Sequence, residues 1–175
     1  MKSLFLLLSL ACASFAHADN PLASMAYQRG DYAQAMQFWQ NDAAQGDAEA
    51  QYRIGLLHHR GYGVPMDFVK AREWYQQAAQ QGHRDAQFTL GVMLAEAQGG
   101  ERDLKNALHW IEQAAAQGET DAQFHAGLMR YLGQGAKKNV AAAKRWWKLA
   151  AEKGETGAIY YLKQLDNRRK TKTKS

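Results

Sequence analysis

The chain has 175 residues, with 22 Lys and Arg, 17 Asp and Glu, two prolines and one cysteine. A lone cysteine excludes a disulfide framework, and the length allows one ordinary domain with a sizeable core. The formal charge of +5 is unevenly spread: residues 19–136 carry 9 basic and 14 acidic side chains, and residues 137–175 carry 12 and 3.

Residues 1–18 read as a cleavable secretion signal. Lys2 forms a short positive start, Leu4 to Ala13 is an apolar run, and Ala16-His17-Ala18 supplies the small residues of a cleavage site, placed after Ala18. The run is about half the roughly 20 residues a spanning helix needs. Acylation at Cys12 is disfavoured, because Ser9 and Leu10 make a poor lipobox and the later A-x-A site is good. Cleavage leaves no cysteine and no N-x-S/T sequon, so packing alone must hold the exported chain together, and the periplasm is its expected location.

From residue 20 on, the chain repeats itself at a shift of 36 residues. Ala35, Ala71, Ala107 and Ala143 align, as do Phe38, Trp74, Trp110 and Trp146, then Gly46, Gly82, Gly118 and Gly154, and finally Tyr52, Phe88, Phe124 and Tyr160. Asp67, Asp103 and Asn139 suit helix N-caps, and each opens a run closed 15 residues later by a glycine fit for a left-handed C-terminal turn. In Arg29-Gly30-Asp31 the glycine and aspartate are likewise expected to form a turn and cap rather than an adhesion motif. A second set of runs begins near 48, 84, 120 and 156, with apolar residues at helical spacing. The unit is helix, turn, helix. First helices are expected at 21–28, 48–60, 84–97, 120–132 and 156–167, and second helices at 32–45, 68–81, 104–117 and 140–153.

These units divide into a degenerate N-terminal pair (20–46), repeats 47–82, 83–118 and 119–154, a capping helix 155–167 and a basic disordered tail 168–175. Glycine within a helix costs about 1 kcal/mol relative to alanine, so Gly91 implies a large neighbour at close approach, expected to be tryptophan. Both the Trp74 column and the next one (Trp39, Tyr75, Ile111, Trp147) are expected in the core, with Trp147 partly exposed. Ala97 stands where the first copy has Gly61, and Gly99-Gly100 follows, so that loop is expected to be reshaped.

The columns A-x-x-W-x-x-x-A-A-x-x-G and A-Q-[YF]-x-x-G, with G-Y-G-V-P-x-D in the first copy, resemble Sel1-like repeats, a branch of the tetratricopeptide-type solenoids. The resemblance implies an all-α, right-handed superhelical solenoid of antiparallel helix pairs, with first helices lining a concave face that binds protein segments. Penicillin-binding or β-lactamase activity has been ascribed to a cysteine-rich branch of that family. This chain lacks the paired cysteines, its only serines after the leader are Ser24 and Ser175, and neither G-x-S-x-G nor S-x-x-K occurs there, so acyl-enzyme chemistry has no nucleophile.

His58, His59, His83, His109 and His125 form no metal-ligand motif, and His58 is expected to be packed. No catalytic residue, cofactor or metal is therefore expected. The candidate surface is the concave stripe Arg53, Leu56, His59 and Arg60; Thr89, Val92 and Glu96; and His125, Leu128, Tyr131 and Leu132, an apolar row flanked by charge. The expected function is a non-enzymatic periplasmic adaptor or regulator binding another protein or peptide segment. An immunity protein against a periplasm-delivered toxin is the alternative, and a cell-wall hydrolase is a more distant one. Nucleic acid is not an expected partner; Arg168, Arg169, Lys170, Lys172 and Lys174 allow weak contact with an anionic membrane.

Overall fold

The computed structural model describes residues 20–172, with side chains to 167. Residues 1–19, which include the expected leader and Cys12, and the last three residues lie outside the described residues. Everything described is helix or connecting turn: α1 Pro21–Gln28, α2 Tyr32–Ala44, α3 Ala48–Arg60, α4 Phe68–Gln80, α5 Arg84–Glu96, α6 Leu104–Ala116, α7 Thr120–Leu132, α8 Val140–Glu152 and α9 Thr156–Lys172. From α3 to α7 each odd-numbered helix packs most closely on the even helix that follows and next on the one that precedes it, so the chain zigzags into a solenoid.

The punctuation works as its chemistry requires. Asp31, Asp67, Asp103 and Asn139 accept the backbone N–H groups of Gln34, Lys70, Asn106 and Ala142, starting each second helix. Gly46, Gly82, Gly118 and Gly154, just past the C-caps, hold φ of 86–90°.

Two aromatic columns behave differently. Trp39, Tyr75, Ile111 and Trp147 are fully buried, whereas Phe38, Trp74, Trp110 and Trp146 are only half-buried. The large neighbours of the helix glycines are the fully buried set: Gly55, Gly91 and Gly127 lie against Tyr75, Ile111 and Trp147. One position further back, the side chain lies at the seam between successive second helices, where Trp146 donates from Nε1 to Glu112 Oε1 at 3.2 Å.

The buried glutamines Gln51, Gln87 and Gln123 clasp one repeat to the next. Gln81 Nε2 donates to Gln51 Oε1 and Gln117 Nε2 to Gln87 Oε1, both at 2.8 Å, while Gln87 and Gln123 donate to the carbonyls of Ala79 and Ala115 at 3.1 Å. Where Gln81 and Gln117 stand, the last repeat has Lys153, which donates instead to the Gly118 carbonyl. Gln123 Oε1, though buried, thereby has no hydrogen-bond partner among the described residues.

The second inter-helix loop is not reshaped. Ala97 takes φ 61°, beside 68° at Gly61 and 78° at Gly133, and Gly99 matches Gly63 and Gly135. Ala97 carries the left-handed strain that glycine avoids elsewhere. At the C-terminus α9 outruns the expected capping helix and continues to Lys172, since Lys, Arg, Gln and Leu sustain a helix and no Gly or Pro stops it. Tyr161 stacks on Trp147 with ring centroids 4.7 Å apart, and Leu162 and Leu165 pack beside it, so Trp147 is buried rather than partly exposed.

Candidate functional site

The first helices place Leu56, Val92 and Leu128 at one register position in α3, α5 and α7. All three are half-buried, although their neighbours at 55 and 57, 91 and 93, and 127 and 129 are buried. A helix turns about 100° per residue, so the row lies midway along the open arc between those flanking buried positions, on the side away from Ala50 and Ile54 in α3.

Around this row the expected residues divide by direction. Arg53 pairs with Glu49 at 2.5 Å, and Glu49 also reaches His83 Nε2 at 2.8 Å, linking α3 to the start of α5. The hydrogen bond from His83 holds the Glu49 carboxyl below the usual carboxylate range, with Arg53 adding to the effect against burial. Arg60 is exposed, its guanidinium 5.9 Å from the Tyr62 ring centroid. Glu96 is exposed and accepts from Gln98, and Leu132 is 53% exposed. Thr89 is half-buried.

His59 and Tyr131 instead turn toward the second helices. The His59 ring packs on Phe68 and Tyr75, and burial lowers its pKa. Tyr131 packs on Trp147 and Tyr161, with the Lys138 ammonium 4.8 Å from its ring centroid. His125 is wedged between Phe88 and Phe124. Arg53, Leu56, Arg60, Val92, Glu96, Leu128 and Leu132 therefore form the more accessible part of the surface, with His59, Tyr131 and His125 buttressing it.

His58 is half-buried, its Nδ1 without a hydrogen-bond partner among the described residues, and its pKa is lowered by burial and then by Lys70. Among the described residues no group of three or more His, Cys, Asp or Glu is placed to hold a metal ion, and no helix is long and apolar enough to cross a membrane.

A second concavity had no forerunner in the sequence reading. Between α6 and α8 lies a groove of about 470 Å³ whose walls include Glu112, Arg130, Arg145, Trp146 and Leu149. Arg130 grips Glu112 through two parallel bonds of 2.7 and 2.5 Å, and Leu149 is 42% exposed. The signal was a departure from the repeat: Glu112 and Arg130 occupy columns whose other members are Gln40, Gln76 and Lys148, and Leu22, His58, Leu94 and Asp166.

The stacked helix pairs and their open first-helix row define an α-helical repeat solenoid whose resource is surface. The chain belongs to the Sel1 repeat family: three Sel1 repeats match at residues 48–83, 84–119 and 120–155. The Sel1 repeat protein from Oxalobacter formigenes is 34% identical with a TM-score of 0.74, over 78% of this chain and 56% of that one. The c5321 protein, described as a protective antigen of uropathogenic Escherichia coli with an SLR fold, is 33% identical with a TM-score of 0.77, over 82% of this chain and 32% of its own. Helicobacter pylori cysteine rich protein B, 18% identical with a TM-score of 0.58 over 75% of this chain and 94% of its own, shares the fold. The chain thus spans about half and a third of the two nearer structures. No curated protein matches. Sel1 repeats serve in general as non-catalytic protein-interaction scaffolds.

Proposed function

We propose that this is an exported, periplasmic, non-enzymatic protein-binding module acting as an adaptor or regulator in an envelope process. The observation that carries the binding reading is the row Leu56, Val92 and Leu128, apolar in three successive first helices and partly open in each. A row of apolar anchors at a fixed repeat, rimmed by Arg53, Arg60 and Glu96, is what a docked helix or extended segment requires. Export rests on Lys2, the apolar run from Leu4 to Ala13 and Ala16-His17-Ala18.

Fractionation of cells making the tagged chain tests export: processed protein in the osmotic-shock fluid supports it, and unprocessed protein in the cytoplasm refutes it. Affinity capture from envelope extract, with the captured protein then purified and titrated against the module, tests binding. Arg60→Glu with Leu132→Asp, both at exposed positions, should abolish it while leaving the helical spectrum intact. Capture of a toxic effector would assign the immunity role instead.

A further inference from the structure

Between α8 and α9 runs a cleft of about 480 Å³, lined by Ala141, Lys144, Arg145, Lys148, Leu162 and Asp166. Thirty-six residues earlier the same positions are Lys105, Leu108, His109, Glu112, Ala126 and Arg130. There the next second helix, α8, lies alongside: Leu108 and Ala126 are buried, and Trp146 reaches down to Glu112. In α9 the helix glycine that receives Tyr75, Ile111 and Trp147 in the earlier repeats is replaced by Lys163, which is exposed.

The charges differ from the template as well. Leu108, His109 and Glu112 have become Lys144, Arg145 and Lys148, and Arg130 has become Asp166. Lys144 is paired with Asp166 at 3.5 Å. Arg145 and Lys148 are exposed, with no carboxylate within ion-pair distance among the described residues. The cleft therefore has two apolar lining residues, exposed Ala141 and half-buried Leu162, beside an excess of positive charge.

We propose that the α8–α9 cleft is a docking site for an acidic polypeptide segment of a partner protein, seated through one apolar or aromatic side chain on Leu162 and through carboxylates on Arg145 and Lys148. The inference rests on the protein-binding reading and gives the partner a chemistry. Charge complementarity sets the occupant, because two unpaired cations on one helix face attract carboxylates spaced a turn apart. A lipid surface meets the summed charge of a protein end and has no chain to lay in a cleft, so vesicle binding is the competing outcome.

The test is fluorescence anisotropy of the mature protein with a labelled peptide of glutamates around a single tryptophan, compared with the same peptide carrying lysines and with phosphatidylethanolamine–phosphatidylglycerol vesicles. Binding of the acidic peptide alone, weakened about tenfold or more in Arg145→Glu with Lys148→Glu and retained when residues 168–175 are removed, is expected. Arg60→Glu with Leu132→Asp should leave it unchanged. No binding of the acidic peptide, equal binding of vesicles, or loss only on removing 168–175 would overturn the proposal. A partner lost in Arg60→Glu with Leu132→Asp but kept in the Arg145 and Lys148 variant would leave the protein-binding function standing and this site refuted.

Discussion

Replacing Gly127 by alanine sets two effects of opposite sign against each other. In an open helix the change is favourable by about 1 kcal/mol, through backbone propensity. In α7 the added Cβ would fall 2.9 Å from Cε2 of Trp147 and nearer still to its Nε1 and Cδ1. The indole cannot retreat: it is fully buried, stacked on Tyr161 and tied by Nε1 to the Phe124 carbonyl at 3.1 Å. Overpacking of a filled core costs about 1–3 kcal/mol, and losing the indole hydrogen bond costs about 1 kcal/mol more. Gly127→Ala should therefore destabilise by about 1–3 kcal/mol and lower the thermal midpoint by several degrees. Urea denaturation followed by circular dichroism measures this, and Trp147→Leu should cost less in the Gly127→Ala background than in the unaltered chain, since neighbours do not add. An increase in stability on Gly127→Ala would refute the claim that the glycine exists for the tryptophan.

Ala97→Gly should stabilise by about 0.5–1 kcal/mol in the same assay, because the φ of 61° suits glycine and strains alanine. Lys153→Gln should satisfy Gln123 Oε1 as Gln117 satisfies Gln87, raising stability by about 1 kcal/mol. His58 and His59 both have folded pKa values held below 6.5, first by burial and then by Lys70 and Arg60 respectively. Below 6.5 the unfolded chain takes up protons that the folded one resists, so stability is complete above that pH and falls as the pH is lowered through it. Replacing both by glutamine should flatten the fall in urea midpoint between about pH 7.5 and 5.5; an unchanged slope would assign it elsewhere. Glu49 adds a loss of the same direction at lower pH, as its folded carboxyl is held below 4.5.

The helices were legible because their ends carry local chemistry. Asp67, Asp103 and Asn139 form caps from their own side chains, and Gly82 and Gly118 supply the turn whatever surrounds them. Columns such as Ala71 and Ala107 stayed in register for the same reason, since each unit buries the same face. Depth was less legible. Trp74 and Tyr75 differ by one position and about 100° of helix rotation, and only the packing of Gly55 on Tyr75 shows which goes inward. His59 and Tyr131 share a column, and their inward turn depends on the second helix beside them, which sequence spacing does not place. The Glu112–Arg130 pair joins residues 18 apart across two helices, so neither hints at its partner locally. Leu128 belongs to the open row and also packs against the α8–α9 core, a double role set by the final helix.

The central claim is that this solenoid exists to present surface to another protein, and calorimetric titration of the purified module with the purified envelope protein it captures tests that most directly. Saturable one-to-one binding, lost when Arg60 and Leu132 are replaced although the melting curve is kept, is the predicted result. Binding indifferent to every substitution on the first-helix face and in the α8–α9 cleft, or turnover of a substrate by the module alone, would contradict it.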